Sequence, residues 1–257
     1  MGFFSIFAIM MNPLFSIVTI TWNAGKVIRP TMNSVCEQTF RNFEHILVDG
    51  ASTDDTLAVA REVGGEEVRI ISERDKGLYD AMNKGLRMAK GEYVVFLNAG
   101  DAFSSPDTLR LYADSAGEDV DIIYGDTVIV NPAREIVGPR HLSVPEKLTL
   151  DSFSHGMLIC HQAFMVRRAI APKYDLSYRF SADYDWTVRC IGATIPERCR
   201  NLHAVTIHYL DEGLTERHKK ASLRERFDIM AKHYGRGKAV MRHLSFVPRA
   251  LMRRFKK

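Results

Sequence analysis

Four apolar runs rich in β-branched and aromatic residues fall within the first hundred positions, and helical stretches separate them. They are Phe15–Thr21, Phe43–Val48, Val68–Ser72 and Tyr93–Leu97. Between the last two, Leu78, Met82, Leu86 and Ala89 recur at helical spacing from Gly77 to Lys90. That spacing predicts an amphipathic helix closed by Gly91 as a C′ residue. Ser52, Thr53 and Asp54 are cap-type residues opening a helix to about Val63, and Trp22-Asn23-Ala24-Gly25 breaks the first strand ahead of another helix expected to run to about Gln38. Strand, helix and strand alternating in this way predict a parallel α/β sheet with right-handed crossovers. Tyr93–Leu97 stops abruptly at Asn98-Ala99-Gly100-Asp101. A carboxylate therefore lies just past the C-terminal end of an interior strand, the edge where open α/β sheets bind ligands.

After Asp107 the pattern is looser. A helix is expected near Pro106–Ala116, and Asp121–Asp126 with Thr127–Val130 reads as a short hairpin. Residues 131–156 read as a long loop. Leu158–Val166 reads as a core strand carrying Cys160-His161-Gln162 within it. Asp183–Ile191 is expected to be helical, Ala204–His208 a strand, and Leu223, Phe227, Met230 and Tyr234 the apolar face of a helix.

At 257 residues the chain can bury a core without disulfides. Its four cysteines (Cys36, Cys160, Cys190, Cys199) show neither Cys-x-x-Cys nor zinc spacing. This fits a reducing compartment. Met1–Leu14 is apolar, without Lys or Arg, and too short to span a bilayer. It reads either as an interfacial anchor or as an upstream start preceding Met10 and Met11.

Three strand ends carry an acid or amide, at Asn23, Asp49 and Asn98/Asp101, and in a parallel sheet these converge on one crevice. No Gly-x-Gly-x-x-Gly follows the first strand, and Gly-x-x-x-x-Gly-Lys-Ser/Thr is absent. Gly-x-Ser-x-Gly and His-Glu-x-x-His are absent too. A nucleotide-type pocket lined by acids remains. The set Phe15–Asn23, Val48–Asp54, Asp75–Gly85, Gly91–Asp101, His161-Gln162-Ala163 and Ser181–Trp186, in this order over residues 15–235, resembles the inverting glycosyltransferases of family 2. Within them it is most similar to the colanic-acid and exopolysaccharide branch.

The resemblance implies a GT-A-like fold: a mixed, mostly parallel sheet flanked by helices on both faces, with a C-terminal helical tail. Residues 15–235 would form the transferase domain, between an apolar extension (1–14) and a basic tail (236–257). It implies a nucleotide-sugar donor, UDP-linked, and a glycan acceptor carried on a polyprenyl diphosphate. Thr21, Asn23, Asp49, Asp75, Lys76, Asn83, Asn98 and Gly100 would line the donor pocket. Asp101 would hold a divalent metal, Mg²⁺ or Mn²⁺, as the surviving acid of the family's Asp-x-Asp; Gly100 and Asn98 stand where acids are usual. Asp183 would be the base that deprotonates the acceptor hydroxyl. His161, Gln162, Asp185 and His208 would face the acceptor or the diphosphate, and Tyr209–Thr215 resembles a segment that closes over the donor. Rival readings are a sugar nucleotidylyltransferase, which lacks its basic glycine-rich loop here, and a non-catalytic binding subunit.

The formal net charge is +4, yet Arg236–Lys257 alone holds eight basic residues and no acid, so the body is mildly acidic. Val240, Leu244, Val247, Leu251 and Phe255 share one helical face, broken at Pro248. This basic amphipathic pattern predicts attachment to anionic lipid at the inner face of the cell membrane. An acidic body without a stacking platform argues against nucleic acid.

Overall fold

The computed structural model describes residues 12–211 and 219–244. The chain runs β1 (Phe15–Thr21), α1 (Ile28–Cys36), β2 (Phe43–Asp49), α2 (Thr56–Gly64), β3 (Val68–Ser72), α3 (Leu78–Met88), β4 (Tyr93–Phe96) and β5 (Ala102–Phe103). It continues with α4 (Thr108–Ser115), β6 (Ile122–Val130), β7 (Ile136–Pro139), β8 (Phe164–Arg167), α5 (Ala182–Gly192), β9 (Cys199–Leu210) and α6 (Lys219–Tyr234). Residues 236–244 are helical as well.

The strands form one mixed sheet in the order β3-β2-β1-β4-β8-β6-β9-β5, with β7 paired to β6. β1, β2, β3 and β4 are mutually parallel. β8 runs against β4 and β6, while β6 and β9 are parallel. The C-terminal ends of β1, β2, β4, β6 and β9 therefore share one edge. Helices cover both faces: Leu47 packs with Ile28, Met32 and Ala60 of α1 and α2, whereas Ile46 and Val48 join Tyr79 and Met82 of α3. Strand alternation assigns the two sets to opposite sides.

The first half matches the pattern expected of it, and the exceptions have local causes. α3 ends at Met88 and Ala89 is extended, so Gly91 is not a helix cap. Gly91 lies against β1, where an added Cβ would come within 2.5 Å of the Ser16 nitrogen. Asp121–Val130 is not a hairpin: β6 runs straight through Gly125-Asp126, and the true hairpin is β6–β7. Gly125 is a site of close approach by β9, whose Thr206 methyl would meet a Cβ at 2.5 Å. Residues 131–156 thus contain β7. His161–Ala163 is a 3₁₀ turn, not mid-strand, and only Phe164–Arg167 pairs in the sheet. The expected interfacial stretch before Asn12, the segment 212–218 and the tail beyond Leu244 lie outside the described residues.

Candidate active site

The site is built on the shared C-terminal edge. At the end of β2, Asp49 is fully buried. Its Oδ2 accepts from the Ser52 amide (2.9 Å) and the Ser72 hydroxyl (2.6 Å), and its Oδ1 accepts from the Ser52 hydroxyl. Gly50 follows, and a Cβ there would strike Asp75 Oδ2 at 2.7 Å and crowd Trp22. Trp22 is 68% exposed. Only a glycine lets Asp75 and the Trp22 ring approach each other across this floor. Asp75 Oδ1 is held by the Gly77 amide at 2.8 Å.

Asn23 sits at φ 46°, its Oδ1 accepting from the Thr53 amide at 2.9 Å. That bond fixes the loop after β2. Lys76 is exposed at the same rim. Asn83 has a different task from the one expected at the nucleotide. Its amide donates to the Tyr174 carbonyl at 3.0 Å and accepts from the Tyr174 amide at 2.8 Å. Both ends are engaged, so Asn83 ties α3 to the loop before α5.

Past β4, Gly100 takes φ 101° with Leu210 3.1 Å from where a Cβ would stand. This left-handed turn delivers Asp101 between β4 and β5. Asp101 is 5% exposed, bonded through Oδ1 to the Leu210 amide (2.9 Å) and through Oδ2 to Gln162 Nε2. Burial pushes its carboxyl up to about 7, against the opposing pull of those bonds and of Arg134. Gln162 in turn accepts from the Cys160 thiol at 2.7 Å.

Among the described residues Thr21 Oγ1, Asn98 Oδ1 and His161 Nε2 are buried without a hydrogen-bond partner. Buried polar atoms without a partner call for an explanation, and a ligand at this edge is one. His161 is 6% exposed; burial lowers its pKa, opposed by the nearby Asp183 charge.

Asp183 stands in the first turn of α5. Its Oδ1 accepts from the Tyr79 hydroxyl (3.2 Å) and the Tyr184 amide (2.9 Å), and Oδ2 has no hydrogen bond among the described residues. Tyr79 belongs to an aromatic stack with Tyr174 and Trp186, at 5.7 and 4.9 Å between successive rings. Tyr209, on β9, lies within electrostatic reach of both acids: burial raises its phenol, and the charges of Asp101 and Asp183 raise it further. Asp101, past β4, and Asp183, bonded to Tyr79 in the first turn of α3, both lie at the crevice along this edge.

Asp185, an acceptor-facing candidate in the sequence, is not in that crevice. It is fully buried, bonded to Arg189 (2.7 Å) and His233 (2.8 Å), and it cross-links α5 to α6. His208 lies on β9 beside Arg134; burial first, then that guanidinium, lower its pKa. The sequence reading gave no individual role to Trp22, Tyr79, Arg134 or Glu225, and took Tyr209 only as the start of a closing segment. Trp22 and Tyr79 carried a signal, since they lie inside the Phe15–Asn23 and Asp75–Gly85 stretches.

Among the described residues no group of three or more His, Cys, Asp or Glu converges to hold a metal. The donor set present is one carboxylate, Asp101, and the orphaned Asn98 Oδ1. Hard oxygens in this number fit an ion of the Mg²⁺ type that keeps water and takes phosphate oxygens.

This sheet order, with acids along the C-terminal edge and an Asp at the start of α5, defines a GT-A-type glycosyltransferase. Residues 16–174 match the glycosyl transferase family 2 profile, and the chain belongs to that family. It is 36% identical over 213 residues to a PGL/p-HBAD biosynthesis glycosyltransferase of Mycobacterium tuberculosis, covering 79% of each chain. It is 32% identical over 184 residues to an uncharacterized glycosyltransferase of the same species, covering 69% of this chain and 68% of that one. Among solved structures, S. aureus TarS 1–349 has a TM-score of 0.69 at 20% identity, covering 90% of this chain and 72% of that chain. Glucosyl-3-phosphoglycerate synthase from M. tuberculosis, in complex with Mn²⁺, UDP and glucosyl-3-phosphoglycerate, has a TM-score of 0.61 at 15% identity, covering 88% and 81%. These two show the fold.

Proposed function

We propose that the chain is an inverting glycosyltransferase that moves a sugar from a UDP-linked donor to a hydroxyl of a growing, polyprenyl-diphosphate-linked glycan in cell-surface polysaccharide synthesis. The observation that carries this reading is Asp183: Oδ1 is held by Tyr79 and Tyr184, and Oδ2 has no hydrogen bond among the described residues, at the sheet edge that also carries Asp101. As the acceptor oxygen attacks the anomeric carbon from the face opposite the diphosphate, Asp183 takes its proton. The new C–O bond forms while the anomeric bond to the diphosphate breaks, and the nucleoside diphosphate leaves with that electron pair. Asp49, Asp75 and Trp22 receive the base. Thr21, Asn98 and Gly100 lie along the path from base to diphosphate.

A divalent cation would be held by Asp101, with Asn98 beside it, and would neutralise charge on the departing diphosphate. The solved TarS structure in complex with UDP-GlcNAc and the synthase with UDP and Mn²⁺ support this class of donor and ion by analogy of fold. Membership of a glycosyltransferase family leaves the nucleotidylyltransferase and non-catalytic readings without support.

UDP with Mn²⁺ at about a hundredfold excess over Kd should stabilise the native state by about 2.7 kcal/mol, a rise in Tm of roughly 5–10 °C. A chelator should diminish that rise. Asp49→Asn and Asp75→Ala should each weaken UDP binding. If both variants retain wild-type affinity, the base pocket lies elsewhere.

The reading extends to peripheral attachment at the cytoplasmic face of the membrane, which the basic amphipathic pattern of the tail supports. Among the described residues no helix is long and apolar enough to cross a bilayer. The helical residues 236–244 leave Val240, Met241 and Leu244 exposed, while Lys238 is ion-paired with Asp151 of the body. Arg249, Arg253, Arg254, Lys256 and Lys257 follow in sequence. Each basic residue near anionic lipid contributes about 1 kcal/mol, screened by salt. The full chain should co-sediment with anionic vesicles at low salt, and a chain ending at Gly235 should not. Equal sedimentation of the two would remove the tail from this account.

A further inference from the structure

We propose that Arg134, at the tip of the β6–β7 hairpin, grips the donor diphosphate and offsets the charge that builds there as the sugar departs. This deepens the glycosyltransferase reading above and rests on it.

The hairpin is built to hold this one side chain. Asn131 bridges its two sides, accepting from the Glu135 amide at 3.0 Å and donating from Nδ2 to Glu135 Oε2 at 2.8 Å. Its carbonyl accepts from the Arg134 amide at 2.8 Å. Within that frame Arg134 adopts φ 67°, a left-handed conformation that non-glycine residues rarely hold. The conformation sends the guanidinium back across the sheet edge, where one Nη donates to the Gly100 carbonyl at 2.7 Å. A link 34 residues long in sequence thus joins the hairpin to the turn that presents Asp101.

Among the described residues the charge at this point has no ion-pair partner. Asp101 lies within the electrostatic reach of Arg134, but its oxygens accept from Gln162 and the Leu210 amide. Among the described residues Arg134 forms no ion pair, and the bond to Gly100 is its single side-chain hydrogen bond. Toward the described residues four of its five N–H donors are unused. The guanidinium is half-buried, and burial lowers its pKa, opposed by the charge of Asp101. A partly desolvated cation with an unfilled fork matches a phosphate group, which accepts two parallel N–H bonds. Its anchor is the Gly100 carbonyl of the acid turn. In the proposed reaction the donor brings its diphosphate to the turn that presents Asp101, whereas the acceptor presents a neutral sugar hydroxyl there, its own diphosphate lying at the far end of the glycan. Fixed donors aimed at a leaving group stabilise the transition state more than the bound donor. Removing Arg134 should therefore lower kcat as well as donor affinity.

The test measures binding of UDP, GDP and their nucleosides to the full chain, with a chelator present throughout, so that the contribution of any cation is removed. Wild type should bind its preferred diphosphate at least tenfold tighter than the matching nucleoside. Arg134→Ala should leave nucleoside affinity unchanged and abolish most of the diphosphate advantage. Arg134→Lys keeps a charge without the fork, so it should fall between the two. Arg200→Ala, a charge loss of equal size at the opposite edge of the sheet, should behave as wild type. In transfer assays Arg134→Ala should lower kcat by at least tenfold. Arg134→Ala and Arg134→Lys proteins that melt like wild type and keep the full diphosphate advantage would overturn the proposal and reduce Arg134 to a hairpin brace. Should Arg134→Ala fail to fold, the Lys variant decides. Wild type indifferent to every nucleotide would instead sink the donor reading itself, and this inference with it.

Discussion

Asp183→Asn should lower turnover by roughly 10²–10⁴-fold, the usual contribution of a positioned general base, with donor affinity and Tm close to wild type. The substitution is nearly isosteric. An Asn Oδ1 can still accept from the Tyr79 hydroxyl and the Tyr184 amide, the two bonds that fix the Asp183 side chain. What is lost is the second oxygen, which has no hydrogen bond among the described residues and which the proposed mechanism uses to receive the acceptor proton. The effect should therefore appear in kcat, with the acceptor hydroxyl still bound but not activated. Tyr79→Phe separates holding from chemistry. It leaves the carboxylate and frees its orientation, so a smaller loss of about tenfold is expected. Near-normal transfer by Asp183→Asn would mean that the base is elsewhere. Asp185 is no substitute, because its carboxylate is committed to Arg189 and His233.

The legibility of the site follows the range of the interactions that make it. Asp49, Asn98 and Asp101 could be found because each ends an apolar run, and a parallel sheet carries such ends to one edge. Asp183 came through the family resemblance, since an acid at the start of a helix is by itself a common cap. Asn83 and Asp185 misled for one shared reason. A polar residue inside a motif does not show whether its partner is a ligand or another part of the chain, and both are bonded internally. Gly125-Asp126 looked like a turn because the sequence does not reveal that β9 passes close to that glycine. Arg134 left no pattern at all. Its meaning depends on a carbonyl 34 residues away and on a left-handed hairpin residue.

Glu225→Ala should cost the enzyme both stability and rate, because this carboxylate, far from the crevice in sequence, holds the backbone that leads into Asp183. Its Oε1 accepts from the Arg179 amide at 2.9 Å, and its Oε2 accepts from the Phe180 and Ser181 amides at 2.8 and 2.9 Å. Three consecutive N–H groups just ahead of α5 thus share one acceptor supplied by α6, and Ser181 is bonded again to the Ser222 hydroxyl at 3.0 Å. Hydrogen bonds to charged groups are worth about 1.5–3 kcal/mol each when sheltered, and Glu225 is only half-buried, so a loss of about 2–4 kcal/mol is expected. In a chain of this length that lowers Tm by several degrees. Freed of its cap, the first turn of α5 should shift Asp183 relative to Tyr79. Because misplacement by about 1 Å can cost 10²-fold in rate, kcat should fall at least tenfold while UDP affinity stays put. Glu225→Gln retains one acceptor oxygen and should recover part of both losses, whereas the shorter Glu225→Asp should not reach the three amides. A Glu225→Ala enzyme with lowered Tm but full kcat, assayed well below melting, would show that α6 supports the fold without setting the base.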